Sequence, residues 1–412
     1  MPFIISPADR EILRGLAGRV AALAARPVES EKRQLWYDHN SLRPTRPLIF
    51  CDPENGWHEI LPQSSLACQG DLARQWEFRL RQEIFWGESI KDDRVIEPTF
   101  VISHVHTESD WGMHETRIGG DHGGAYRWDS PLTSYDLLGK LRFPQITVDH
   151  ASTAQLLGLA HQTFGDLLPV RLHTNWWWSL GMTWTAASLR GMEQLMLDMY
   201  DEPENLHRLM AFLRDGTLAK LNFLESNHLL FPNTAGTYVG SGGFGFTREI
   251  PRDSSIPITT GQMWGFCESQ ETVGISPDQF AEFIFPYQKP LLDKFALNCY
   301  GCCEPLQTRL SVVKQFPRLR RISVSPAADL EKMAEGLADA YIYSMKPQPA
   351  DLAMPTFDEA LIRERLRRAL TITRGNHLEL VMKDNHTLGN EPRRLTRWVE
   401  IAREELANAH RA

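Results

Sequence analysis

The chain has 412 residues, 42% of them hydrophobic and 23% charged, which excludes a disordered protein or a small disulfide-stapled scaffold and leaves a globular chain with a large core. A formal charge of −8, with both signs mixed along the chain, provides no basic stripe to neutralise a phosphate backbone, so nucleic acid is not an expected partner. Apolar runs are broken by charge or Pro well short of the roughly 20 residues that span a bilayer, and the N-terminus carries charges within its apolar stretch. Neither a membrane span nor a secretory signal is expected, and the setting is read as cytoplasmic.

In chain order, apolar residues at helical spacing over 7–26 (Ile12, Leu13, Leu16, Val20, Leu23), behind Ser6 and Pro7, predict an N-terminal helix. A Pro-rich stretch then leads into Leu48, Ile49, Phe50 and Cys51, read as the first strand, which Asp52 and Pro53 end. Residues 99–103 make a second strand, followed through Tyr126 by a His- and Gly-rich segment without period, read as a long functional loop. Residues 170–173 form a strand that runs into a Trp-rich loop, and helices are expected over 191–200 and 204–230. Residues 237–240 are a short strand entering SGGFGF, whose glycines predict a tight turn with close backbone approach. A helix is expected over 275–294, with Ser276 as cap and Pro277 in the first turn.

From there strands at 295–300, 321–325, 340–344 and 378–382 alternate with helices at 304–316, 328–337, 356–370 and 392–406. Single helices between short strands imply parallel strands joined by right-handed crossovers. With no phosphate-binding Gly loop early in the chain, the expected architecture is an α/β fold of the (β/α)8 TIM-barrel type, with an N-terminal helical extension (1–45), a barrel (46–412) and long inserted loops.

In such a barrel the loops after the strands build the active site. His104 and His106 sit at i, i+2 spacing after the second strand and suit a metal pair, proton transfer or substrate hydrogen bonding. His173, Asn175 and Trp176 begin an aromatic wall (Trp176, Trp177, Trp178) able to stack a planar substrate or cover a corrin face, or to pack helices. Glu268 follows Cys267. Lys346, held between a strand and two prolines, suits anion binding, acid chemistry or a solvated rim. Asp384 and His386 follow the last strand.

The sharpest feature is Asn298-Cys299-Tyr300-Gly301-Cys302-Cys303-Glu304, where thiols and a carboxylate meet at a strand end. Six cysteines in a chain of this length, three of them in one five-residue window, read as reduced thiols, not as a disulfide framework. Strand alternation puts Asn298, Tyr300 and Cys302 on one face and Cys299 and Cys303 on the other, so at most two of the three thiols reach one metal. His386 either completes a mixed S/N/O site or is a hydrogen-bonded structural residue.

Over roughly residues 170–405 the chain resembles the uroporphyrinogen decarboxylase superfamily in the order of its elements and in three segments: Gly191-Met192-Glu193-Gln194-Leu195 with Asp201-Glu202-Pro203-Glu204; Ile275-Ser276-Pro277-Asp278-Gln279-Phe280 leading to Pro286-Tyr287; and the strand end at 298–304. The arginine-rich porphyrin grip of the decarboxylase proper has no counterpart, since Arg43 and Arg46 flank prolines in another context. The corrinoid-dependent methyltransferase branch typically places a His-x-Cys-Gly zinc motif at this strand end and a further Cys near the last strand. Here Cys302 takes the motif cysteine's place, Tyr300 stands where the His would be, and His386 falls near the distal cysteine.

The resemblance implies an enzyme moving a methyl group between a small methylated substrate and cobalamin, free or on a corrinoid protein docked at the barrel mouth. It implies zinc held by Cys302, Cys303 and His386, with His104, His106, Glu268 and Asp384 in proton transfer, and with His173, Asn175, Trp176, Tyr300 and Lys346 facing substrate. Decarboxylation of a tetrapyrrole or other acid, and corrinoid or tetrapyrrole binding without turnover, are the alternatives. A homodimer is compatible with either activity.

Overall fold

The computed structural model describes residues 3–120, 126–251 and 256–409. The expected first helix spans Pro7–Ala24, with the Asp9 amide donating to Ser6 Oγ at 3.1 Å. A second helix follows at once, Pro27–Asn40, within the expected N-terminal helical extension. Its Pro27 stands in the first turn, where its missing N–H has no intrahelical partner to lose.

Parallel strands follow in the order β1 (Leu48–Cys51), β2 (Phe100–Ile102), β3 (Val170–Leu172), β4 (Trp264–Cys267), β5 (Leu297–Tyr300), β6 (Leu319–Val324), β7 (Ile342–Met345) and β8 (His377–Met382). Six of them form one parallel sheet in the order β1-β8-β7-β6-β5-β4, so the first strand pairs with the last, Leu48 opposite Glu379 and Cys51 opposite Met382. β2 and β3 form a separate parallel pair. Among the described residues no ladder joins β1 to β2 or β3 to β4, so the hydrogen-bonded ring is not continuous. The expected late helices are present at Leu330–Leu337, Glu359–Ile372 and Arg393–Ala409. Two expected helices are shorter: Pro305 delays the one after β5 until Leu310–Val313, and the one over 275–294 divides at Ile284 into Pro277–Phe283 and Phe285–Leu292 because Pro286 follows.

The segment after β2 is not a bare loop. It holds an antiparallel pair, His106–Glu108 with Ile146–Val148, and a hairpin, Thr116–Gly119 with Tyr126–Asp129. Residues 121–125 of that expected loop lie outside the described residues. Among the described residues no helix is long and apolar enough to cross a membrane.

Strand alternation sorts the core into two layers. Ile49, Cys51, Tyr343, Met345, Leu380 and Met382 pack with the helices, whereas Leu48, Phe50 and Val381 face Trp36, Phe244 and Phe246. That second layer is closed by the two-stranded hairpin Tyr238–Val239 with Gly243–Phe244, the SGGFGF turn. A Cβ on Gly243 would lie 2.6 Å from the Arg321 guanidinium carbon, so glycine is what lets this backbone pass over a buried arginine. Arg321 in turn pairs with Glu379 at 2.9 Å, and Glu379 also meets His39 Nε2 at 3.2 Å, so the helix Pro27–Asn40 is wired into the sheet.

Candidate active site

The parallel strands end in a ring of polar residues: Asp52 after β1, His173 after β3, Glu268 after β4, Ser325 after β6, Lys346 after β7 and Lys383 after β8. The structure sorts these and the other expected residues into distinct neighbourhoods.

The thiol pair is the centre. β5 stops at Tyr300, and Gly301, at φ +89°, turns the chain. Tyr300 therefore stays in the helix-facing layer, stacked on Phe316 at 4.7 Å with its hydroxyl donating to Gln288 Oε1 at 2.9 Å. Cys302 instead joins the layer of Cys299, Val239 and Phe266. The expectation that Tyr300 and Cys302 share a face is thus corrected by the glycine turn, and Tyr300, fully buried with its hydroxyl satisfied, is not brought to the strand-end site.

Cys302 Sγ lies 3.6 Å from Cys303 Sγ, accepts from Ser241 Oγ at 3.2 Å and lies 3.9 Å from Lys383 Nζ. A hydrogen bond from the Cys303 thiol holds the Cys302 thiol below its ordinary value against burial, helped by the Lys383 ammonium and the Ser241 hydroxyl. Cys303 is pushed up, since it donates to that sulfur and is partly buried. Lys383 also pairs with Asp384 Oδ1 at 2.8 Å, and Asp384 Oδ2 lies 3.8 Å from Cys303 Sγ, so Asp384 lies in this cluster. Burial opposes the Lys383 charge, yet Cys302, Asp384 and Glu54 together raise its pKa. Glu54 is itself pushed up to about 7 by burial.

Glu304 links the thiols to β4: its Oε2 accepts the Cys302 amide at 2.9 Å and its Oε1 the Ser269 amide at 2.8 Å. Adjacent Glu268 is buried, with Ser179 Oγ donating to it at 3.2 Å. Burial first, then the neighbouring Glu271 and Glu304, push its carboxyl well above the usual range, which favours the protonated form. The site thus offers a thiol whose ionisation is favoured beside a carboxyl whose protonated form is favoured.

His173, Asn175 and Trp176 line one small cleft with Trp177, Trp178 and Trp264. Tyr238, Val239 and Gly240 line it too, and the next residue of that turn is Ser241, on the Cys302 sulfur. Trp176 is buried and donates to the Leu229 carbonyl at 2.9 Å, so it is part wall and part core. His104 and His106 flank the Trp176 ring, at 5.4 and 4.6 Å between centroids. His104 Nδ1 is 2.8 Å from Thr174 Oγ1, and burial lowers its pKa, which favours the neutral ring. The two histidines thus pack on Trp176 and not on the thiols.

His386 Nδ1 meets Asn55 Nδ2 at 3.0 Å. Among the described residues no three His, Cys, Asp or Glu side chains are grouped to hold a metal ion, so the zinc set Cys302, Cys303 and His386 is not assembled here. The positive charge beside the Cys302 sulfur is the Lys383 ammonium. Lys346 sits deeper, its Nζ donating to Ser344 O at 3.0 Å and Ser344 Oγ at 2.7 Å.

Lys383, Ser241 and Glu54 were not picked out from sequence. Lys383 directly follows a strand and Glu54 comes just after Asp52 and Pro53 in the loop beyond another, a signal that would have found them; Ser241 is 61 residues from its sulfur and carries no such signal.

No family model matches this chain, and no curated protein matches it. Among solved structures, a methyltransferase from Methanosarcina mazei aligns over 91% of this chain and 98% of its own, at 11% identity and a TM-score of 0.47. So distant a likeness assigns neither family nor chemistry to the chain.

Proposed function

We propose that this chain is a methyltransferase acting at the carboxyl ends of its parallel strands, moving a methyl group between a small methylated substrate and a corrinoid. The observation that carries this reading is that Glu304 accepts the Cys302 and Ser269 amides and so ties the Cys302 thiol, held below its ordinary value, to the segment of the buried Glu268 carboxyl, held above its own. The resemblance over residues 170–405 supports it. The two- and six-stranded sheets are read as arcs of one (β/α)8 barrel, with residues 1–45 as its helical extension and 46–412 as its body, and a cytoplasmic setting would keep the thiol pair reduced.

Removing a methyl from an ether or amine leaves a heteroatom that must take up a proton. Glu268, enclosed and with its protonated form favoured, would deliver it. The Cys302 sulfur, whose ionisation Cys303, Lys383 and Ser241 favour, would stabilise the positive charge that builds on a methyl in transfer. His173, Asn175 and Trp176 hold the substrate in the adjoining cleft. A corrinoid would be presented at the mouth by a carrier protein or as free cobalamin. When bound, the corrinoid supplies the cobalt that gains or gives up the methyl group. No step is assigned to zinc, because its donor set is not assembled.

The test is methyl transfer to cob(I)alamin from a panel of methoxylated and methylamine donors. Transfer in the wild type that is lost in Glu268→Gln supports the reading; no transfer from any donor counts against it.

A further inference from the structure

Adjacent residues of an extended strand send their side chains to opposite faces, which keeps the sulfurs of neighbouring cysteines apart. Cys302 and Cys303 escape this rule because β5 ends at Tyr300 and Gly301, at φ +89°, turns the chain before them. Their sulfurs lie 3.6 Å apart, in contact and not bonded. The two differ in depth: Cys302 is 3% exposed, whereas Cys303 is open to solvent.

They differ also in what surrounds them. Two donors stand at the Cys302 sulfur, Ser241 Oγ at 3.2 Å and the Lys383 ammonium at 3.9 Å, and both favour a negative charge there. At the Cys303 sulfur stands a carboxylate oxygen instead, Asp384 Oδ2 at 3.8 Å, which favours the protonated thiol. Of the four other cysteines, all buried, Cys299 also meets a cation, Arg321 Nη1 at 3.6 Å. That guanidinium is committed to Glu379, and among the described residues no second sulfur is in contact with Cys299. Cys302 and Cys303 are thus an unequal pair, one sulfur placed to react as a thiolate and the other placed beside it with its proton kept.

We propose that Cys302 and Cys303 form a peroxide-reactive dithiol, in which Cys302 is the sulfur oxidised and Cys303 the thiol that resolves it into a disulfide. Hydrogen peroxide is the oxidant, because a molecule barely larger than water is what a sulfur 3% exposed can meet. The Cys302 sulfur attacks one peroxide oxygen: an S–O bond forms, the O–O bond breaks, and the departing hydroxide takes up the proton that Cys302 has given away and leaves as water. Cys303, already 3.6 Å from the sulfenic acid so formed, then closes on it. The S–S bond forms, the S–OH bond breaks, and the Cys303 proton leaves with the hydroxyl as a second water. Two electrons pass from the thiols to the peroxide, so that two thiols and one hydrogen peroxide become one disulfide and two waters. Consecutive Cα atoms are about 3.8 Å apart, closer than the roughly 4.4 Å at which ordinary disulfides begin, so the closed pair is strained and a thiol reopens it. This chemistry belongs to the thiol pair alone and does not rest on the methyl-transfer reading.

The test treats the full reduced chain with graded hydrogen peroxide, denatures it in iodoacetamide and digests it with trypsin. The peptide 295–309 holds Cys299, Cys302 and Cys303. It is expected to carry label on Cys299 alone, with about 2 Da lost at the pair, and dithiothreitol is expected to restore label at both positions. With dimedone present, Cys303→Ser is trapped as the sulfenic acid adduct at Cys302, and Cys302→Ser is oxidised at least about tenfold more slowly than wild type in this peptide. Thermal unfolding checks that both variants keep the fold, and the wild-type labelling pattern decides by itself where one does not. Any of the other four cysteines consumed before the pair, sulfinic acid at Cys302 of the wild type with no disulfide, a dimedone adduct in Cys303→Ser at a cysteine other than Cys302, or Cys302→Ser oxidised as fast as wild type each overturns the proposal.

Discussion

The Lys383 ammonium lies 3.9 Å from the Cys302 sulfur, so residues 81 apart in the chain form one charged pair at the ends of β5 and β8. An opposite charge at this range lowers a thiol pKa by about one to three units. Lys383→Met is expected to move the Cys302 titration upward by about that much, read as the thiolate ultraviolet absorbance that Cys302→Ser abolishes. Because the folded thiol is held low, its ionisation stabilises the fold above the ordinary thiol value, and that contribution is lost as pH falls through the folded value. An unchanged titration in Lys383→Met would mean the ammonium does not set the thiolate.

Glu268 carries the opposite shift. Its carboxyl is raised, so the folded state favours the proton; this stabilisation is full below the unfolded carboxylate value and is lost as pH rises through the folded one. Glu268→Gln, which imitates the protonated form, should leave neutral-pH stability within about 1 kcal/mol while cutting methyl transfer by about 10² to 10⁴. A variant that is fully active in the cobalamin assay would remove Glu268 from proton transfer.

Glu379 is held down to about 2, since Arg321 and His39 outweigh the burial that opposes its charge. Glu379→Gln leaves the Arg321 guanidinium buried without its anion, a loss of about 3 to 5 kcal/mol at neutral pH by chemical denaturation. The gap between wild type and variant should narrow as pH falls from the usual carboxylate range toward about 2, because the stability contributed by a depressed carboxyl disappears over that window. A constant gap down to that pH would show that packing, not charge, is at stake.

Gly242 has φ +102°, and a Cβ there would lie 2.5 Å from Val381 Cγ1 and 2.9 Å from the Tyr238 hydroxyl. Gly242→Ala is expected to cost about 2 kcal/mol or more in unfolding free energy. It should also raise the Cys302 titration, because Ser241 on the same turn donates to that sulfur. A variant as stable as wild type would mean that the hairpin is not seated on β8.

Much of the fold was legible locally. The late strands and helices repeat an apolar run followed by an amphipathic stretch, so Leu319–Val324, Ile342–Met345 and His377–Met382 fall close to where the pattern puts them. β4 was not, since Trp264-Gly265-Phe266-Cys267 is a short apolar run with a glycine in it; Gly265 is there because a Cβ would lie 2.4 Å from Asn298 Oδ1 on β5. Tyr300 was read onto the wrong face because alternation holds only while a strand lasts, and Gly301 ends it.

What the amino-acid sequence determined by itself is the succession of strands and helices and the thiol pair at a strand end, because periodicity, caps and adjacency are local properties of the chain. What only the tertiary structure decided is which charges meet. Cys302 meets Lys383 and Ser241 and not His386; Glu379 is taken by Arg321 and His39; and Lys346 is left with neutral partners. The physical reason is that a charge buried at a strand end is balanced by whatever the neighbouring strand and the inserted hairpin bring beside it, across tens to hundreds of residues, and spacing along the chain carries no record of that partner.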